Sequence, residues 1–122
     1  MHGDTQRRIR EWVETRLGSA AMDPHERAMR FLEEANELAQ AMGVNGTEAI
    51  RVARHVYGKV PGMIHQELGG AGMTLLACAE SNEELLSGCI YQELERVESL
   101  PLERFRDRQA ENAKNGIGAE PE

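Results

Sequence analysis

Apolar residues recur along this chain at intervals of three and four, and no stretch sustains strict apolar–polar alternation, so the pattern predicts helices and no sheet. The first helix is expected over residues 4–17. Ile9, Trp12, Val13 and Leu17 share one face, Arg7, Arg8, Arg10 and Glu14 take the other, and Gly18 stops it. That strip should pack as the arm of a bundle or be buried against a second subunit. The second helix has the clearest start, with Asp23 at the N-cap, Pro24 at the first helical position and Glu26 three residues after the cap. It runs to Gly43 with Phe31, Ala35, Leu38 and Met42 in one apolar line, Leu32 and Ala39 beside it, and Glu33, Glu34 and Glu37 together on its flank.

Asn45, Gly46 and Thr47 form a turn and cap before a third helix over residues 48–57, which turns Ile50, Ala53 and Val56 inward. Residues 58–62 read as a loop. A fourth helix over residues 63–79 carries Gly69, Gly70 and Gly72 in its interior, each costing up to ~1 kcal/mol relative to Ala. Either a neighbour approaches that backbone closely or the helix is locally irregular. Ser81 and Glu84 have capping-box spacing and should open a fifth helix with Leu85, Leu86, Cys89, Ile90, Leu94 and Val97 as its apolar set. Pro101 ends or restarts it, the charged run LERFRDRQAENAK adds a short exposed helix, and NGIGAEPE reads as a disordered tail. The expected organisation is an amphipathic helix over residues 1–20, a helical core over 21–100 and a charged helix with a tail over 101–122, with no internal repeat.

The 122 residues suffice for one domain, which excludes a multidomain enzyme. A formal charge of -7, from 14 basic and 21 acidic residues, repels phosphate backbones and argues against nucleic-acid binding; a phosphate ligand would need metal ions. Aromatics make up only 4%, so the core lacks large anchors and self-association is expected. Cys78 and Cys89 read as reduced core thiols. The charged N-terminus is no signal peptide and no window matches a membrane span, so the expectation is a soluble, cytoplasmic protein without membrane attachment.

The first chemical signal is the E-E-x-x-E cluster, in which Glu34 and Glu37, three residues apart, point the same way. Hard divalent cations such as Mg²⁺ or Mn²⁺ take oxygen ligands, so these carboxylates, met by an acid from a facing helix, form a candidate metal site. The same cluster also reads as a solvated acidic face. Glu67, on the fourth helix, is the candidate facing ligand.

The ordered segments ERAMRFLEEANELAQAMG, EAIRVARHVYGKVPG and QELGGAGMTLLACA resemble the MazG-like nucleotide pyrophosphohydrolases of the all-α NTP pyrophosphatase superfamily, in the short form found in phages and prophages. The resemblance covers residues 26–108. It implies an all-α, MazG-like bundle of about four to five helices that forms a homodimer or a dimer of dimers, in the host cytoplasm if phage-encoded. It also implies a Mg²⁺-dependent enzyme that cleaves a nucleoside triphosphate to the monophosphate and pyrophosphate. Carried onto this chain, Glu34 and Glu37 match the principal metal ligands of the first motif, Glu33 its leading acid and Glu67 the acid of the second motif, E-x-x-D. This chain departs from the pattern at Gly70, where the family has Asp, a feature shared with similar short phage sequences.

The expected mechanism has Glu34, Glu37 and Glu67 hold Mg²⁺, Glu33 accept a proton from water, and that water attack the α-phosphorus. Lys59, Arg54 and Arg96 are candidate phosphate contacts, and Asn36 and Asn82 are amides that could read a base edge. Glu93 and Glu80 are the acids that could replace the missing ligand. His55 and His65 lack metal-ligand spacing, and Trp12 reads as core or interface, with base stacking as its other use. Two further readings stand beside the enzyme: a non-hydrolysing nucleotide-binding protein, acting as sensor or sink with an incomplete metal site, and a helical interaction protein whose acidic face is structural.

Overall fold

The computed structural model describes residues 2–118. In chain order they form α1 (His2–Leu17), a 3-10 turn (Ser19–Met22), α2 (Pro24–Ala41), α3 (Gly46–Tyr57), α4 (Ile64–Ser81), α5 (Leu86–Glu98) and α6 (Leu102–Lys114). The chain is all-helical, with no strand among the described residues. None of these helices is long and apolar enough to cross a membrane.

Local chemistry sets the helix ends. Gly18, at φ 90°, breaks α1 with a backbone that residues bearing a side chain rarely adopt. The Asp23 side chain accepts from the Glu26 N–H at 3.1 Å to open α2. Asn45 and Glu48 satisfy each other's backbone N–H groups at the start of α3. Ser81 does not cap α5. It is the last residue of α4, and its hydroxyl donates back to the Cys78 carbonyl, while Glu83 turns the chain at φ 56° and α5 begins only at Leu86.

The chain divides into two compact units. The first joins Met1–Gly43 to Val97–Glu122. In it α1 lies against the 3-10 turn and α6, burying Val13 and Ala21. Trp12 meets Phe105 edge to face, with ring centroids 5.1 Å apart and planes at 87°. Val13 is thus covered by the chain itself and Trp12 in part, as the bundle-arm alternative expects, while Ile9 of the same strip stays exposed. Arg16 donates to the carbonyls of Glu98 and Leu100 at 2.8 and 3.0 Å, supplying partners that the end of α5 lacks. The apolar line of α2 is not a core: Phe31, Leu32, Leu38 and Met42 are all exposed.

Residues 115–118 are not a loose tail. The chain turns after α6, Ile117 N–H returns to the Asn112 carbonyl at 2.8 Å, and Arg30 donates to the Ile117 carbonyl. Gly118, at φ 83°, sits on the buried Glu26 and its neighbour Arg30, so closely that a Cβ would lie 2.5 Å from the Arg30 guanidinium and under 3 Å from both Glu26 carboxylate oxygens. The part of the expected tail from Ala119 onward lies outside the described residues.

The second unit, Val44–Arg96, contains α3, α4 and most of α5. Leu94 is its one buried residue, and every residue from 50 to 70 is exposed, with Val60 at 91% and Ile64 at 81%. Amphipathic helices without a covered apolar face have little to stabilise them in water. The interior glycines of α4 meet no neighbour: a Cβ at Gly69, Gly70 or Gly72 would find nothing within 4 Å, and the helix runs through them without a break. Both cysteines are free, but Cys89 is exposed and donates to Glu84 at 3.4 Å, so it is not a core thiol.

Candidate metal centre

The middle of α2, in its third and fourth turns, brings the three acids of the E-E-x-x-E cluster together. Glu33, Glu34 and Glu37 each present a carboxylate oxygen within 4.8 Å of the others. Positions i, i+1 and i+4 do not all share one helix face, so their convergence depends on side-chain direction as well as helix geometry. A cation supplies the direction. One terminal nitrogen of Arg108, on α6, lies 3.7 Å from Glu33, 3.6 Å from Glu34 and 3.5 Å from Glu37.

The three carboxylates are not equivalent. Glu33 is 18% exposed and its Oε1 is held by Arg30 at 3.5 Å and by the Asn112 amide at 3.3 Å. Glu34 and Glu37 are 66% and 53% exposed, open to water and to anything dissolved in it. The donor chemistry suits a hard divalent cation. Octahedral magnesium at ~2.1 Å from its ligands sets adjacent oxygens about 3 Å apart, a contraction that side-chain rotation supplies without moving the helix. As placed, the three acids share the Arg108 guanidinium, and their oxygens are of the kind that could hold Mg²⁺ or Mn²⁺.

The remaining candidates from the sequence are distributed as follows. Asn36 is on α2, and its amide donates to the Leu32 carbonyl at 2.9 Å, so that nitrogen is already engaged within its own helix. Glu67, Arg54, Lys59 and Arg96 belong to the second unit. Glu67 occupies the first turn of α4, where the helix dipole favours an acid, and its carboxylate folds toward Gly62. Arg54 lies on α3 and Lys59 in the following loop, both exposed. Arg96 grips Glu93 through two hydrogen bonds, which engages a proposed phosphate contact and a proposed replacement ligand with each other. Glu80 is exposed near the end of α4, as are His55 on α3 and His65 on α4. Asn82 donates to the Cys78 carbonyl at 2.8 Å, bonding back onto α4.

Three residues that sequence reasoning passed over complete the surroundings of the triad: Arg30, Arg108 and Asn112. The signal for the two on α6 was the spacing of Phe105, Arg108 and Asn112 at i, i+3 and i+7, which brings an aromatic anchor, a cation and an amide to the same face. No family model, curated protein or solved structure matches the chain.

Proposed function

We propose that this protein is a Mg²⁺-dependent nucleoside triphosphate pyrophosphohydrolase, a MazG-like helical bundle of the phage type, acting in the cytoplasm as a homodimer or homotetramer. The observation that carries the reading is the convergence of three carboxylates on one cation, in the motif order that the resemblance requires. Glu34 and Glu37 would hold the ion, and Glu67 is the further ligand that the resemblance supplies. When bound, magnesium would offset triphosphate charge and lower the pKa of a coordinated water.

The chain's own groups do the rest. Glu33 is fixed through Oε1 by Arg30 and Asn112, and its other oxygen would accept a proton from the attacking water. Water oxygen bonds to the α-phosphorus, the bond to the bridging oxygen breaks, and pyrophosphate leaves with that oxygen. Arg54 and Lys59 would contact the phosphates, and Arg96 would do so by exchanging Glu93 for them. Asn36 would offer its amide oxygen to a base edge. Self-association would cover the apolar helices of the second unit, where residues 50–70 are all exposed.

One observation favours the alternative of a nucleotide-binding protein that does not hydrolyse its ligand. Gly70 stands where the family has its fourth acid, and Glu93, a replacement, is paired with Arg96. The test is a panel of nucleoside and deoxynucleoside triphosphates with Mg²⁺ or Mn²⁺, read as released pyrophosphate. Release that disappears in Glu34→Gln and Glu37→Gln supports the enzyme. Nucleotide-dependent melting shifts without release support the binder, and neither effect sinks both readings.

A further inference from the structure

Ile64, Leu68, Ala71, Leu75 and Cys78 form one apolar line along α4 at spacings of four and three. Ala71, Leu75 and Cys78 are half-buried, whereas Ile64 and Leu68, at the start of the same line, are 81% and 69% exposed. Tyr57, Val60 and Met63, which lead into α4, are exposed as well, so the open end of the line carries five large apolar side chains. That is more than the scattered apolar residues of an ordinary monomer surface. At about 27 Å, α4 also has the length for a standard interface, which takes about 800 Å² from each partner.

The charges of the second unit are segregated along this same helix. Arg54 and Lys59 stand just before it, with His55 and His65 beside them, and no acid lies between residues 49 and 66. Glu80, Glu83 and Glu84 stand at its far end, and no lysine or arginine lies between residues 60 and 95. Glu67, in the first turn, is the one acid at the basic end, and its carboxylate folds toward Gly62. A surface with opposite signs at its two ends is complementary to itself when a second copy is turned end for end, whereas parallel pairing sets like charges together. We infer that two copies of this chain pair about a two-fold axis through α4, antiparallel along the helix, with the basic end of each against the acidic turn of the other. This inference rests on the self-association in the proposed reading, and it adds the surface, the direction and the force that sets the direction. Charges attract over a Debye length of ~8 Å, so the pairing does not require the heads of Arg54 and Lys59 to leave solvent.

The test is sedimentation equilibrium of the wild-type chain, Ile64→Ser, Lys59→Glu, Glu80→Lys and the variant combining Lys59→Glu with Glu80→Lys, each first checked for helix content by circular dichroism. All three positions are exposed in the single chain, so none of the changes disturbs its own packing. Ile64→Ser should weaken dimerisation at least about ten-fold. Lys59→Glu and Glu80→Lys should each weaken it about three- to ten-fold at low salt, and less at high salt. The combined variant should return to within about two-fold of wild type, because exchanging both signs restores the complement in an antiparallel pair. Single charge variants that dimerise as well as or better than wild type, or a combined variant that shows no recovery, overturn the antiparallel arrangement. Unchanged dimerisation in Ile64→Ser overturns the α4 surface and leaves self-association standing. A wild-type chain that stays monomeric throughout the micromolar range overturns self-association and this inference with it.

Discussion

Arg8 grips Glu98 through two parallel hydrogen bonds, 3.2 Å from Nε and 2.6 Å from a terminal nitrogen, joining α1 to the end of α5. The hydrogen bond from Arg8 holds the Glu98 carboxyl below its ordinary value of 4.5, against a smaller opposing effect of desolvation and with help from the charges of Arg8 and Arg16. A carboxylate whose folded pKa is depressed contributes stability above its unfolded pKa and loses it as pH falls through the folded one. Glu98→Gln should therefore melt below wild type at neutral pH, and the gap should close as the pH is taken below 4.5. Melting curves of both proteins across acid pH check this; a gap that persists unchanged into strong acid contradicts it.

The edge-to-face pair of Trp12 and Phe105 should show coupling beyond the area each ring buries. A double-mutant cycle with Trp12→Leu and Phe105→Leu is expected to return about 0.5–1.5 kcal/mol of interaction energy. Chemical denaturation of the four proteins measures it, and additive losses would mean that the rings merely share a neighbourhood.

Gly118 combines a positive φ with no room for a Cβ. Gly118→Ala should destabilise the chain by at least ~1 kcal/mol, through backbone strain and displacement of the Glu26 and Arg30 side chains. An alanine variant as stable as wild type in urea would show that the turn after α6 is not held against α2 in solution.

In α4 the expectation has the opposite sign. Gly70→Ala removes the entropic penalty of a helix-interior glycine and places its methyl in open space, so a gain of up to ~1 kcal/mol is expected. Denaturation at low protein concentration reads this directly. A loss that deepens as concentration rises would instead identify the glycine face as a contact between copies.

If the apolar helices of the second unit are covered by another copy, the melting temperature should rise with protein concentration, and sedimentation should give a dimer or tetramer at micromolar concentration. A monomer with a concentration-independent transition contradicts the proposed assembly.

The helices were legible where a side chain closes a local ring with the backbone, as Asp23 and Asn45 do, because such signals need only neighbouring residues. Ser81 misled because its hydroxyl had two local partners to choose from and took the carbonyl behind it. Periodicity identifies which face is apolar but not what covers it. The strip of α1 finds Phe105 far along the chain, whereas the equally periodic line of α2 stays open. The acids of the candidate site were visible as a motif. The cation among them was hidden in a run of charges, where only the i, i+3, i+7 register of Phe105, Arg108 and Asn112 sets it apart.

The first unit is built from both ends of the sequence, with Val44–Arg96 looped out between its two parts. Its defining contacts, Arg8 to Glu98, Arg16 to Leu100 and Arg30 to Ile117, each span more than eighty residues. Emerging from a ribosome, α1 and α2 would remain without these partners until the segment from Glu98 to Ile117 had been made, and the entropy of closing so long a loop must be met before any of the contacts contributes. Folding of this unit therefore waits on the closure of that loop. A circular permutant that joins the original ends and opens the loop between Gly58 and Gly62 would make α6 and α1 neighbours in sequence, and should fold faster than the natural order while keeping the same contacts.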